Sequence, residues 1–278
     1  MDSSKNNEKI VIFTDLDGTL IDHKDYSYID ASRTLKSLKK RNIPVILCTS
    51  KTRGETEKYT DKLNLRYPFI VENGGAIFIP KDYFSFKYPF DKTMNQYNVI
   101  ELGTPIAQLN KVVKQIKKEG FELKTFSDMS VSELSKETGL TKMDAIRAKK
   151  REYDVAFRIL DPKDKAEIAK IINAAGYNTS AGGRYHHLMG ANDKGHAVKI
   201  LTDLFRKRYG GSLKLKTIGL GDGENDIPML KNVDIPILVK NREHKKPEIN
   251  FDVTYTEFEG PKGWSETIEE LLFESKSD

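Results

Sequence analysis

Short apolar runs alternate with amphipathic stretches along the first third of the chain. Residues 9–15 (KIVIFTD) and 43–50 (IPVILCTS) are apolar and end in polar residues, which is typical of buried parallel strands. A third run, 68–75 (PFIVENGG), ends in a Gly-Gly turn. Between these runs the pattern predicts one helix capped by Asp30 and a second over about 53–64. This alternation of strands and helices with short connections predicts a parallel α/β sheet.

The middle of the chain follows a different pattern. Ser130 and Thr141 each precede an acid by three residues, a spacing that Thr52 and Glu55 also have and that starts a helix. Residues 177–189 (YNTSAGGRYHHLM) form two strands around a glycine turn, so we expect these strands to be antiparallel.

A parallel pattern returns afterwards, with a helix over about 193–209 and strands at 215–222 and 235–239. The predicted fold class is therefore α/β, a Rossmann-like parallel sheet with an inserted α+β unit. We expect residues 1–83 and 190–278 to build the first unit and residues 84–189 to build the second.

Composition narrows the class of protein further. The 278 residues suit about two domains, and a single cysteine excludes a disulfide framework and Cys-only zinc sites. No secretory signal and no apolar run of membrane-spanning length is evident, so we expect a cytoplasmic location and no membrane contact. The lysine-rich stretches have the spacing of solvated helix faces without stacking aromatics, so we expect no nucleic-acid partner. The sequence contains no signal for an oligomeric state.

Polar residues gather where the predicted strands end or a helix begins, which is where open α/β sheets bind ligands. The four groups are Asp15-Leu16-Asp17-Gly18-Thr19, Thr49-Ser50-Lys51-Thr52-Arg53, Lys194, and Gly219-Leu220-Gly221-Asp222-Gly223-Glu224-Asn225-Asp226. Taken singly, each has an ordinary explanation: an Asp-Gly turn, a helix cap, a surface lysine and an acidic turn without EF-hand spacing.

Taken together and in this order, the four groups resemble the haloacid-dehalogenase-like superfamily of phosphohydrolases. The resemblance implies that Asp15 is a nucleophile forming an aspartyl-phosphate and that Asp17 is the general acid and base. It implies that Thr49 and Lys194 bind the phosphoryl oxygens. The implied cofactor is Mg²⁺, held by Asp15, the backbone carbonyl of Asp17 and Asp222, with Asp226 and Asn225 beside the metal or its waters.

Longer stretches resemble one branch of that superfamily. The insertion lies where sugar phosphatases have an α+β cap, and segments 48–53, 71–76, 182–188 and 221–226 are similar to the mannosyl-3-phosphoglycerate phosphatase family. This resemblance implies a small phosphorylated glycosyl-glycerate as substrate and mannosylglycerate, a compatible solute, as product. Glu224 departs from the family pattern.

A substrate with a phosphate, a carboxylate and a hexose needs cations and hydrogen-bonding groups. We expect Arg184 to bind the carboxylate, and we prefer His186 to His187 because it shares a strand face with Arg184. Further candidates for substrate binding are Ser50, Lys51, Arg53, Asn73 and Asn225. Arg151 ranks after these candidates.

Four other activities remain compatible with these residues. Glucosyl-3-phosphoglycerate presents the same charged half as the mannosyl ester, and only the sugar stereochemistry differs. A broad-specificity sugar or nucleotide phosphatase and a phosphomutase are other enzymes of this kind. A catalytically silent phospho-ligand binding module is the alternative outside enzymes, although the presence of Asp15, Asp17, Asp222 and Lys194 together argues against it.

Overall fold

The computed structural model describes residues 8–182, 185–210, 213–242 and 247–273. Its strands are β1 (Glu8–Thr14), β2 (Val45–Leu47), β3 (Phe69–Val71), β4 (Ala76–Pro80), β5 (Lys92–Met94), β6 (Tyr97–Glu101), β7 (Leu123–Thr125), β8 (Asp154–Ile159), β9 (Asn178–Gly182), β10 (Tyr185–Met189), β11 (Lys214–Gly221), β12 (Ile235–Lys240) and β13 (Thr254–Glu259). Its helices are α1 (Ser32–Lys40), α2 (Arg53–Lys62), α3 (Ile106–Lys118), α4 (Val131–Thr138), α5 (Lys142–Ala148), α6 (Lys165–Ala174), α7 (Lys194–Tyr209), α8 (Ile227–Leu230) and α9 (Gly260–Leu272).

The predicted parallel sheet has five strands in the order β13-β12-β11-β1-β2, and every pair is parallel. Strand β1 is buried on both faces, with Ile12 packing in a cluster that contains Trp264 and Phe13 packing in a cluster that contains Phe205. Helices therefore cover both faces of the sheet, which confirms the α/β class. Because Thr14 pairs with Leu220, the ends of β1 and β11 lie side by side.

A second sheet follows β2 in the first part of the chain. Its order is β3-β4-β6-β5 with antiparallel pairs, and Cys48 bridges to Ile70 beside β2. Residues 97–101 of β6 pair with β4 along its whole length. The 84–189 span of the inserted unit stays a prediction, and this pairing favours a start beyond Glu101.

The third sheet, which we call the cap sheet, has the antiparallel order β7-β8-β10-β9. The predicted hairpin is its β9–β10 pair. Helices α3 and α6 pack on one face of this sheet, and α4 and α5 pack against Ala156 on the other. In the described ranges, no helix is long and apolar enough to cross a membrane.

The helix starts follow local chemistry in most cases. Thr52 and Ser130 form reciprocal capping boxes with the glutamates three residues on, and Thr141 accepts a hydrogen bond from the Asp144 amide. The cap predicted at Asp30 is wrong. Helix α1 begins one residue later, after Ala31, without a side-chain capping bond.

Candidate active site

Three carboxylates meet at the adjoining ends of β1 and β11. Asp15 follows β1 and donates its backbone N–H to the Leu220 carbonyl, 2.9 Å away. Asp222 follows β11, and Asp226 lies at the end of the 3₁₀ turn Glu224–Asp226. Carboxylate oxygens of Asp15, Asp222 and Asp226 lie within 4.8 Å of one another, and all three residues are buried.

Lys194 is the cation of this acidic cluster. It is the first residue of α7 and is fully buried, and its Nζ lies 2.6 Å from Asp15 Oδ1 and 2.6 Å from Asp226 Oδ1. Burial alone would lower the pKa of Lys194, but Asp15 and Asp226 raise it above its usual range. The ammonium group is therefore charged at neutral pH and neutralises part of the cluster.

The carboxylates of the cluster also raise one another's pKa. Burial raises the pKa of Asp15 and of Asp226, and neighbouring carboxylates raise both further against the opposing effect of Lys194. A site that offers three buried carboxylates as ligands fits a hard divalent cation such as Mg²⁺ better than a softer metal. Asp15, Asp222 and Asp226 are the residues that would hold it.

The loop after β1 is shaped around Asp222. Gly18 has a φ of +76°, and a Cβ there would lie 2.8 Å from Asp222 Oδ2. Thr19 Oγ1 donates to Asp222 Oδ1 (3.0 Å), and Asn241 Nδ2 donates to Oδ2 (2.6 Å). Asn241 was not among the predicted site residues, because nothing near it in the sequence resembles a motif.

Asp17 lies opposite the loop Thr49–Lys51, for which we predict phosphate binding and which we call the phosphate-binding loop. Its Oδ2 is 2.8 Å from Lys51 Nζ, while its buried Oδ1 has no hydrogen-bond partner in the part of the chain that the structure describes. Thr49 is fully buried at the end of β2, and its Oγ1 accepts the Lys51 amide (3.2 Å). Lys51 thus binds one oxygen of the Asp17 carboxylate and leaves the other without a bond among the described residues.

These groups open into a cavity of about 160 Å³, which we call the main pocket. Its polar lining includes predicted residues Asp15, Asp17, Ser50, Lys51, Asp222 and Asn225. Its outer wall is largely aromatic or aliphatic and consists of Tyr26, Phe126, Leu140, Ala148 and Tyr185. Asn225 Nδ2 also donates to Oδ1 of the buried Asn73 (3.1 Å), which places Asn73 directly behind the pocket.

The cap sheet adds a second polar group to the main pocket. Arg151 binds both oxygens of the buried Asp154 through Nε and a terminal nitrogen, the latter 2.9 Å from Oδ2. His187 Nδ1 lies 2.9 Å from the same Oδ2. Burial raises the pKa of Asp154, but Arg151 and His187 lower it to about 2, so the Asp154 side chain is a carboxylate. Arg151 and His187 both line the pocket.

The choice of His186 over His187 was wrong. The His186 ring packs on Phe157 with 5.6 Å between centroids, on the face of β10 that carries Leu188 and packs under helices α3 and α6. Successive strand residues face opposite ways, so His187 takes the pocket side. The preference for His186 rested on Arg184, which lies outside the described residues.

Arg53 also differs from its predicted place. Its guanidinium pairs with Glu57 (3.2 Å) and Glu152 (3.5 Å), and it lines a separate cleft rather than the main pocket. As the first residue of α2, Arg53 is directed along the helix surface toward the residue four positions on.

The family follows from comparison with known proteins. Residues 12–256 match the model of the haloacid dehalogenase-like hydrolases. The chain belongs to this family. The same comparisons support its assignment as a phosphatase.

Two curated relatives cover nearly the whole chain. One from Methanococcoides burtonii is 48% identical over 95% of this chain and 97% of its own length, and one from Persephonella marina is 42% identical over 95% and 98%. Both are named glucosyl-3-phosphoglycerate/mannosyl-3-phosphoglycerate phosphatase. A Pyrococcus furiosus relative, named mannosyl-3-phosphoglycerate phosphatase, is 37% identical over 86% and 94%.

Solved structures support the fold independently. A Thermoplasma acidophilum protein superposes with a TM-score of 0.67 at 18% identity, covering 94% of this chain and 97% of its own. The sucrose-phosphatase of Synechocystis reaches 0.60 at 13% identity, covering 96% and 100%.

Proposed function

We propose that this chain is a Mg²⁺-dependent phosphatase that hydrolyses mannosyl-3-phosphoglycerate to mannosylglycerate and phosphate, and that it also accepts the glucosyl ester. One observation carries the proposal: a single pocket is lined by Asp15 and Asp222 of the acid cluster, which we call its acid end, and by Arg151 with His187, which we call its cap end. A small ligand with both a phosphate and a carboxylate matches these two ends. The names of the relatives support the same substrate class.

The residues suggest a two-step displacement. Asp15 attacks phosphorus, and the ester P–O bond breaks as Asp17 gives its proton to the leaving alkoxide. Asp17 then removes a proton from water, which attacks phosphorus and releases Asp15 and phosphate. Lys194 holds Asp15 Oδ1, which leaves Oδ2 for the attack. Bound Mg²⁺ would supply positive charge beside the phosphoryl oxygens.

The outer wall supports acceptance of both sugars. Aromatic and aliphatic groups from Tyr26, Phe126, Leu140 and Tyr185 can pack against the C–H face of a hexose. Packing against these groups distinguishes weakly between an axial and an equatorial 2-hydroxyl. We therefore expect the mannosyl and glucosyl esters to differ by less than about tenfold in kcat/KM.

The test compares kcat/KM for the two glycosyl esters and for p-nitrophenyl phosphate, with Asp15→Asn as the variant. The variant is expected to bind the esters but release no phosphate, while exposed Asp30→Asn serves as the matched control. Equal hydrolysis by wild type and Asp15→Asn would contradict the nucleophile.

The product pattern separates the alternative activities. No preference for glyceryl-linked phosphate indicates a broad-specificity phosphatase. Isomerised product without free phosphate indicates a mutase, and binding without turnover of any ester indicates a silent module.

A further inference from the structure

A buried carboxylate outside the catalytic cluster binds the start of β8. Glu72 is fully buried, immediately after β3. Its carboxylate accepts hydrogen bonds from three successive backbone amides, those of Glu152 (3.0 Å), Tyr153 (2.8 Å) and Asp154 (3.0 Å). Because all three donors belong to one stretch of backbone, the carboxylate holds that stretch at a defined position.

The backbone beside Glu72 binds the phosphate-binding loop. The Glu72 amide donates to the Lys51 carbonyl (3.0 Å), and the Asn73 amide donates to the Thr49 carbonyl (3.1 Å). The carbonyl between them, that of Ser50, accepts from Arg151 at 2.5 Å. The turn at Glu72–Asn73 thus binds the Thr49 and Lys51 carbonyls. Arg151, which lies just before the three anchored amides, binds the Ser50 carbonyl.

The conformation of this turn has a cost that its contacts must offset. Glu72 and Asn73 have φ values of 48° and 55°, a region that residues other than glycine seldom occupy. Gly74 follows at +84°, where a Cβ would lie 2.0 Å from the carbonyl of Asp193, the cap of the helix that carries Lys194. The turn therefore lies against the phosphate-binding loop, β8 and the start of α7 at once.

We propose that Glu72 is a positioning residue that keeps Arg151 and Asp154 in register with the phosphate-binding loop. Arg151 precedes the three anchored amides, and Asp154 is the last of them and binds His187. Loss of the anchor changes the spacing between the two ends of the main pocket. A substrate that spans both ends is then affected more than a small ester held at the acid cluster. This inference rests on the proposed function.

The experiment compares wild type with Glu72→Gln on mannosyl-3-phosphoglycerate and on p-nitrophenyl phosphate. Glutamine keeps one acceptor oxygen but turns an amide group toward backbone N–H donors. We expect kcat/KM to fall at least about tenfold for the glycosyl ester, mainly through KM, and less than about threefold for p-nitrophenyl phosphate. Glu152→Gln is the matched control, because that carboxylate pairs with Arg53 rather than with β8 and its backbone amide is retained.

Equal losses on both esters in Glu72→Gln, accompanied by a matching loss of folded protein, would show a purely structural role and overturn the proposal. Wild-type rates on both esters would overturn it as well. Glu72→Asp, which keeps the carboxyl group but shortens its reach, is expected to restore part of the KM.

If neither variant folds, hydrogen exchange of the wild-type protein provides the test. Orthovanadate with Mg²⁺ at the acid cluster is expected to slow exchange of amides 152–154, and unchanged exchange would contradict the coupling. If wild type hydrolyses p-nitrophenyl phosphate but no glycosyl ester, the proposed function fails, and the exchange measurement still tests Glu72.

Discussion

Replacement of His187 by glutamine tests the carboxylate end of the main pocket. His187 is 7% exposed, and its Nδ1 is committed to Asp154, so Nε2 is the ring atom available to a ligand. Glutamine can still donate to Asp154, and Arg151 still binds both oxygens of that carboxylate. In the imidazolium form both ring nitrogens donate, so the substitution removes the Nε2 donor from the pocket without leaving a buried charge unpaired.

The expected magnitude follows from the loss of one hydrogen bond to a charged group, about 1.5–3 kcal/mol, or about tenfold to 150-fold in kcat/KM. Because Arg151 would still contact the substrate carboxylate, the lower part of this range applies. We expect a decrease of about tenfold to thirtyfold for mannosyl-3-phosphoglycerate.

The assay measures phosphate release from mannosyl-3-phosphoglycerate and from its carboxamide, in which an uncharged amide of nearly the same shape replaces the carboxylate. The carboxamide is expected to be a poorer substrate of the wild type and to lose little further in His187→Gln. His186→Gln is the matched control on the same strand, and we expect it to keep kcat/KM within about twofold because its ring packs on Phe157.

Two results would refute this reasoning. An equal loss on the ester and the carboxamide would show that His187 does not act through the carboxylate. A larger loss in His186→Gln than in His187→Gln would show that the pocket face of β10 is assigned wrongly.

Three further predictions concern the loop, the core and pH. Gly18→Ala is expected to lower kcat at least about tenfold, because its Cβ would displace Asp222; initial rates at saturating substrate measure this. Trp264→Phe removes the bond from Nε1 to Thr14 Oγ1 (3.0 Å) and is expected to cost about 1–3 kcal/mol of unfolding free energy in urea titrations, and no change would contradict it. Burial and the Lys165 charge lower the pKa of His186, so the unfolded chain takes up this proton more readily than the folded protein does. The free energy of unfolding therefore decreases as the pH is lowered below about 6.5. Denaturant titrations at about pH 5 and 7 should show a smaller fall for His186→Gln, and an unchanged fall would contradict this.

Local sequence predicted the features that depend on a few neighbouring residues. The capping pair Thr52 and Glu55 starts α2, since both hydrogen bonds form within one helical turn. Strand alternation also predicted that only one histidine of the His186–His187 pair could face the substrate. It could not decide which one, because that depends on which face of β10 is covered by α3 and α6.

The acid cluster depends on both the local sequence and the tertiary structure. The sequence by itself determined the chemistry of Asp15 and Asp222 and their position at the ends of buried strands, because apolar runs and acidic turns are local features. The parallel pairing of β1 with β11 brings together residues that are about 200 positions apart. Only the tertiary structure decided that Lys194 is buried, that Arg53 lies in another cleft, and that Glu72 binds β8. Burial and long-range contact depend on how sheets and helices pack against one another, which the pattern around a single residue does not record.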